Sequence, residues 1–415
     1  MLKPERRTRG DLLAAAAIAA VVLLFVSFFW WRSSARTTVV QPAGSPAPNV
    51  VAVKTVPDAL KQTWTATSSR TSAPLVLNGT VMIGNGREMT GLDSQTGTQR
   101  WSFARDRDLC AVSYVYDLAV AVYPDRRGCG QVSSVKAGTG ERGPTRSSYA
   151  DKQVIVSSDG NAVLSYGPTR LELWRTDLVR SLSYGEIDAR VKPVNTGVGE
   201  GCTLMSAAAS DVAASVLESC KDQKGLQLTL LKPAKEEDEP DTKRVALQDM
   251  AADSDARVLA VIGTSTAVYL PTPRPMVAVY DDTGTKVSET PLTAPAALGG
   301  GVPAVTRAGD LLTWWTGTAV MVFNDKLNHL FTIEAAEPRA TIEAAGPRAP
   351  IGPATVMAGA LLVPVPEGLL VCSREDGALQ KLIPLTHPAG TGAVVPAVSG
   401  PTVIEQRGAA LRGFA

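Results

Sequence analysis

Two hydrophobic patterns divide the chain at about residue 58. Residues 12–31, LLAAAAIAAVVLLFVSFFWW, are apolar and carry no charge. A helix of this length rises about 30 Å, the thickness of the hydrocarbon core of a bilayer. Beyond residue 58, apolar residues come in short runs separated by Gly, Pro and Asp, which is typical of many short β-strands joined by turns.

The apolar run predicts a single transmembrane helix over 12–31. Basic residues are more frequent before the run than directly after it: Lys3, Arg6, Arg7 and Arg9 against Arg32 and Arg36. The positive-inside rule then places residues 1–11 in the cytoplasm and everything after residue 32 outside it. The alternative is a cleaved secretory signal, because the small residues SSA follow at 33–35, but the apolar core of such a signal normally spans about 7–15 residues.

Residues 32–57 are predicted to be a linker. Pro, Ala and Ser are frequent in this segment and charges are few. This composition favours an extended chain. We therefore expect a stalk that lifts a folded domain, residues 58–415, off the membrane.

A repeated pattern predicts the fold of that domain. An apolar strand, a turn, a second strand, a polar turn and a third strand recur at 78–106, 116–143, 159–188, 210–233, 264–292, 308–334 and 358–385. Corresponding turns are roughly 40–56 residues apart, close to the 40–50 residues of a four-stranded propeller blade. Because the copy at 210–233 is weak, a count one blade lower stays open.

The two ends of the domain supply one more blade. Residues 397–414 provide its early strands without a last one, and KQTWTATSS at 61–69 is an unassigned strand. Joining them closes the ring and removes its sheet edges. The prediction is an all-β protein: a β-propeller of about eight four-stranded blades, with seven as the alternative, preceded by one transmembrane helix.

The first repeat resembles a known family. GLDSQTGTQRWSF at 91–103 is similar to the repeat of quinoprotein-type (PQQ-like) β-propellers, and fainter copies recur through the domain. Asp93 is expected to accept hydrogen bonds from the turn, Gly97 to supply its positive φ, and Trp101 to fill the wedge between blades.

Enzymes of this family carry a quinone and Ca²⁺, and often two adjacent cysteines. This chain has no adjacent cysteines and no carboxylate cluster with the spacing of Ca²⁺ ligands. It has two isolated histidines and no G-x-S-x-G elbow. We therefore predict no catalytic residue, no cofactor and no metal site.

The cysteines are consistent with an oxidising compartment. Cys110 and Cys129, and likewise Cys202 and Cys220, each flank a strand–turn–strand segment, so each pair is expected to form a disulfide within one blade. Zinc binding is the alternative, but no CxxC pair is present. Cys372, in an apolar run, is expected to be a buried free thiol.

The net charge of +1 provides no global field for nucleic acid, so no nucleic-acid partner is expected. The non-enzymatic branch of the quinoprotein-repeat family implies a membrane-anchored, extracytoplasmic module that binds or scaffolds protein partners at the cell envelope. The alternative is a quinone- or metal-dependent oxidoreductase, or a small-ligand receptor, that uses the central channel.

Three further segments have separate expectations. The Arg- and Tyr-rich stretch 105–127 and the pair Trp314–Trp315 are candidate binding surfaces, with one tryptophan expected between blades and the other partly exposed. The charge-rich insertion 232–244 is predicted to be a solvated loop. The duplication TIEAAEPRA–TIEAAGPRA at 332–349 is too short to form a blade, so it is predicted to be a lengthened loop between blades.

Overall fold

The computed structural model describes residues 8–186, 199–221, 223–247, 250–298, 302–335, 349–387 and 390–415. It begins with helix α1 (Arg9–Arg32), followed by the short helix α2 (Ser34–Thr37). The N-terminus of α1 is a capping box, because the Thr8 hydroxyl accepts from the backbone of Asp11 and the Asp11 carboxylate accepts from the backbone of Thr8.

Helix α1 is long and apolar enough to cross a membrane. Its mean hydropathy reaches 2.8 and none of its residues is buried by the rest of the protein. A signal sequence has the same two properties. The structure is thus compatible with the predicted anchor, and the segmentation at residues 11, 31 and 57 stays a prediction.

The strands fall into blade-sized groups. Strands β1 (Val39–Gln41) and β2 (Gln62–Thr67) precede them. The groups, in chain order, are β3 (Leu75–Leu77), β4 (Thr80–Asn85), β5 (Glu88–Asp93), β6 (Gln99–Ala104); β7 (Ala111–Val115), β8 (Leu118–Asp125), β9 (Gly128–Lys136), β10 (Arg142–Ser147); β11 (Ile155–Ser158), β12 (Val163–Tyr166), β13 (Arg170–Trp174), β14 (Arg180–Gly185); β15 (Cys202–Ala209), β16 (Ala214–Cys220), β17 (Leu226–Lys232), β18 (Asp241–Leu247); β19 (Arg257–Ile262), β20 (Ser265–Leu270), β21 (Met276–Tyr280), β22 (Lys286–Pro291); β23 (Val305–Ala308), β24 (Leu311–Trp315), β25 (Val320–Phe323), β26 (His329–Ile333); β27 (Thr355–Met357), β28 (Ala360–Val365), β29 (Gly368–Ser373), β30 (Leu379–Pro384); and β31 (Val395–Ser399), β32 (Thr402–Arg407), β33 (Ala410–Phe414).

Each group is one antiparallel sheet with its strands in chain order, and we number these sheets blades 1 to 8. First strands contact each other at several blade junctions, for example β7 with β11 and β15 with β19, so the first strands surround the centre and the fourth strands lie at the rim. Blade 8 obtains its fourth strand from the other end of the domain, because β2 pairs with β33. The predicted propeller and its terminal closure are therefore confirmed, with eight blades.

Large side chains fill the wedges between blades. Trp101 of blade 1 is 1% exposed, and its indole N–H donates to the carbonyl of Ala137 in blade 2 at 2.7 Å. Its ring lies on the blade 2 turn at Gly140, where an added Cβ would be only 2.5 Å from the Cβ of Trp101. Trp64 of blade 8 lies in the same way on Gly97 of blade 1, whose φ is +69°.

The turn between β5 and β6 is held by its acidic residue. One oxygen of the Asp93 carboxylate accepts from the backbone N–H groups of Gln95 and Thr96, each at 3.0 Å. These bonds pre-form the turn that carries Gly97 beneath Trp64. Asp93, Gly97 and Trp101 thus all lie at blade junctions.

The segment 32–57 differs from the expected free stalk, because most of it lies against the propeller. Strand β1 adds to the outer edge of blade 1, where Val39 pairs with Ala104 of β6. Ala43 and Ala47 then donate backbone hydrogen bonds to the turn of blade 2. Composition did not reveal this docking, because it shows neither the backbone pairing of β1 nor the packing of Val40, Val53 and Val56 against the blades.

Candidate functional site: an arginine cleft at the rim of blades 2 to 4

The cysteines that were paired from the sequence form two disulfides. Cys110 bonds to Cys129 within blade 2, and Cys202 bonds to Cys220 across the paired strands β15 and β16. Cys372 is free and buried, and its burial raises the pKa of the thiol to about 12. Such a thiol is almost wholly protonated at neutral pH, so it is a poor nucleophile.

In the described residues, one group of side chains has the spacing of a metal site: Cys202, Glu218 and Cys220. Its two sulfurs are already joined in a disulfide. The carboxylate of Glu218 is fully buried and accepts from the hydroxyl of Tyr184 at 2.7 Å. This group therefore serves the junction of blades 3 and 4 rather than a cation.

The two binding surfaces proposed from the sequence are less exposed than their composition suggests. Within 105–127, Tyr123 is completely buried, whereas Tyr116 is 67% exposed at a turn. Trp314 is also completely buried and packs against Tyr269 of blade 5, while Trp315 is partly exposed. Neither segment forms a continuous aromatic surface.

A strongly charged concave site lies elsewhere, between the outer parts of blades 2 and 3. Arg146 projects from β10, Arg170 from β13 and Arg180 from β14, around Glu172 on β13. The space they line opens to solvent and measures about 480 Å³. We call it the arginine cleft. Three of these four side chains lie on the fixed frame of a single blade.

A single carboxylate organises the three arginines. Glu172 accepts from Arg170 at 2.6 Å and from Arg180 at 3.0 Å on one oxygen, and from Arg146 at 3.0 Å on the other. The indole N–H of Trp174 makes the fourth bond, at 2.9 Å. With four donors, the acceptor capacity of this buried carboxylate is filled.

The guanidinium groups exceed the charge that Glu172 can compensate. Burial would raise the pKa of Glu172, but the charges of Arg146, Arg170 and Arg180 outweigh burial and lower that pKa. For Arg146 burial has the larger effect, so its pKa is lowered despite the attraction of Glu172. Arginine remains protonated even so, and Glu172 alone leaves part of the positive charge of these three groups uncompensated.

A second carboxylate comes from the insertion of blade 4. The loop 233–240 joins β17 to β18, and we call it the acidic loop. Its Glu237 binds Arg180, and the backbone oxygen of Glu237 accepts from the N–H of Ser183 on β14 at 2.7 Å. The expectation of a simply solvated insertion at 232–244 is therefore corrected, since this segment contacts blade 3 and continues into β18.

Two hydroxyl groups at the cleft have no hydrogen-bond partner among the described residues. They belong to Ser148 and Ser183, which are 7% and 1% exposed and both line the cleft. A buried hydroxyl without a partner costs about 1–3 kcal/mol. The cleft therefore holds polar capacity that the protein itself leaves unused.

Sequence reasoning did not find this site. Its charged residues come from positions 146, 170–180 and 237 in three blades, and none of them forms a motif with its sequence neighbours. The one sequence feature that pointed to the site was the charge-rich insertion 232–244, and only the fold shows that its Glu237 binds Arg180. The duplication at 332–349 lies mostly outside the described residues, which omit 336–348.

Sheet order and site together define a β-propeller with a charged cleft at its rim. A similar solved structure is the crystal structure of BamB from Moraxella catarrhalis, with 14% identity, 86% of this chain and 99% of that chain covered, and a TM-score of 0.48. A chain of the crystal structure of the mitotic checkpoint complex matches with 12% identity, 89% and 96% coverage and a TM-score of 0.41. No family model and no curated protein matches the sequence. The propeller assignment rests on the sheet order itself.

Proposed function

We propose that this protein is a membrane-anchored, extracytoplasmic interaction module of the quinoprotein-repeat type, which binds a protein partner at the cell envelope through the arginine cleft. The observation that carries the proposal is the cluster of guanidinium groups in an open cleft at the outer rim. Arginine is enriched in protein interfaces, and a rim site is accessible to a macromolecule in a way that a central channel is not.

Two further observations support the proposed location. Helix α1 has the length and hydropathy of a membrane span. The two disulfides favour a compartment outside the cytoplasm, because thiols are kept reduced in the cytosol. Both observations are consistent with a propeller presented on the outer side of a membrane.

Site-specific photo-crosslinking in the native membrane tests the function. A benzophenone amino acid at Val179, which lines the cleft and is 50% exposed, is expected to yield a discrete protein adduct that mass spectrometry can identify. The matched control is Val287 on the outer strand of blade 5, which is 57% exposed and remote from the cleft. The same adduct from both positions, or none from Val179, would contradict the proposal.

A further inference from the structure

The acidic loop occupies part of the arginine cleft in the manner of a bound peptide. Its Glu237 side chain binds the guanidinium of Arg180, while its backbone accepts one hydrogen bond from Ser183. Strand β14 is the outermost strand of blade 3, so the N–H of Ser183 belongs to a sheet edge. Backbone pairing at an edge with a side chain in a pocket is a recurrent mode of peptide recognition.

The two carboxylates that bind the arginines differ in how firmly they are held. Three guanidinium groups face the carboxylates of Glu172 and Glu237. Arg127, Asp177 and Asp238 also line the cleft, so its charges balance overall. Glu172 is 4% exposed and fixed on a strand, whereas Glu237 is 43% exposed and lies on a loop. Only the second carboxylate can therefore be exchanged without unfolding a blade.

Arg180 is the group on which such an exchange would take place. Its side chain is 20% exposed, compared with 4% for Arg170, so solvent and ligands reach it. One of its terminal nitrogens binds Glu172 and the other binds Glu237. An incoming carboxylate would take over the second bond, and Glu172 would keep Arg180 in place.

We propose that the arginine cleft accepts a carboxylate side chain from an acidic segment of the partner, and that this segment displaces Glu237 of the acidic loop. This inference rests on the proposed function and specifies the chemistry of the partner. The acidic loop, with Glu236, Asp238 and Glu239 beside Glu237, is then an internal competitor that lowers the affinity for weakly acidic segments. The unpartnered hydroxyls of Ser148 and Ser183 would receive further acceptors from the same segment.

Fluorescence anisotropy with the full-length protein in detergent micelles tests this inference. The probe is fluorescein-labelled hexaglutamate at low salt. Glu237→Gln removes the competing charge and is expected to tighten binding about tenfold, the equivalent of one charge-assisted hydrogen bond. Glu239→Gln is the matched control, because Glu239 is an exposed acid on the same loop, and its affinity should stay within about twofold of the wild-type value.

A second pair of variants tests the receiving group. Arg180→Gln is expected to weaken binding at least about tenfold, whereas Arg142→Gln, an exposed arginine on β10, should leave it nearly unchanged. Should Arg180→Gln fail to fold, the Glu237→Gln result decides alone, because that variant leaves all three arginines in place. Unchanged affinity in Glu237→Gln would overturn the inference, as would calorimetric binding of inorganic phosphate without any binding of the peptide.

The two proposals fail separately. A crosslinked partner at Val179 without binding of hexaglutamate would overturn the acidic-segment inference and leave the interaction function standing. Binding of hexaglutamate with the expected variant pattern, but without an adduct at Val179 in the native membrane, would contradict the interaction function and leave the acidic-segment chemistry of the cleft standing.

Discussion

Glu172→Gln is the substitution that most directly tests the electrostatic account of the cleft. The wild-type carboxylate is 4% exposed and accepts from three guanidinium groups. Glutamine keeps the shape but removes the negative charge, which leaves Arg170 buried beside Arg146 without their shared anion. Removing one partner of a buried ion pair typically costs about 3–5 kcal/mol.

This loss of stability translates into a measurable shift of the unfolding temperature. An unfolding entropy of about 2.1 cal/mol/K per residue over the propeller means that a loss of about 4 kcal/mol lowers Tm by about 5 °C. Differential scanning calorimetry of full-length protein in detergent provides the measurement. Glu141→Gln is the control, because its salt bridge with Lys136 is more than half exposed and screened by solvent, so no measurable Tm shift is expected.

The pH dependence of the same variant provides a second measurement. The folded-state pKa of Glu172 is lowered, so its contribution to stability is present above its ordinary pKa of 4.5 and is lost as the pH falls through the folded value. The Tm difference between wild type and Glu172→Gln should therefore shrink in acid. A variant with a Tm within about 1 °C of wild type at neutral pH would refute the claim that this carboxylate holds the arginines together.

Three other features give separate expectations. Gly140→Ala places a Cβ against Trp101 at a positive φ, so it should lower the free energy of unfolding by about 2–4 kcal/mol. A Tm within about 1 °C of wild type would argue against close packing of Trp101 on this turn. Burial lowers the pKa of His387, but the hydrogen bond to Glu405 and the charge of Glu405 outweigh burial and raise this pKa above 6.5. The pair therefore adds its full stability below pH 6.5 and loses it as the pH rises through the folded pKa. His387→Gln should make the urea midpoint of unfolding less dependent on pH over that range. Intact mass after alkylation in urea without reductant should show a single blocked thiol, at Cys372, and five blocked thiols would refute both disulfides.

The propeller was predictable because its repeated features are local in sequence. In blade 1 the acidic turn residue, the turn glycine and the tryptophan all lie within 91–103, and each makes a contact that its position implies. Later blades keep the contact while losing the motif. Phe331 lies on the turn at Gly377, and Val245 lies on Gly284, where the first repeats use tryptophan. The weak copies were therefore recognisable by spacing rather than by residue type.

The cleft and the docked linker were not predictable for the opposite reason. Glu172 and Glu237 are carried by different blades, and they share Arg180 only because the outer hairpin of blade 4 reaches back to blade 3. Surface arginines are common in any chain with 41 basic residues, so composition does not distinguish those that share a buried carboxylate. Sequence periodicity identifies strands, but the relation between rims of successive blades depends on twist and loop length.

The docked linker has a consequence for how the proposed anchor would present the cleft. Helix α1 ends at Arg32 and β1 begins at Val39, and the short segment between them, which includes α2, can span at most roughly 20 Å. Because β1 pairs with the outer strand of blade 1, a propeller anchored by α1 is held by its rim rather than carried on a long flexible stalk. Blade 1 is then nearest the membrane, and the arginine cleft begins on the next blade along the ring. A partner in the same membrane would therefore meet the cleft at a restricted height and orientation, which lowers the entropic cost of binding its carboxylate to Arg180.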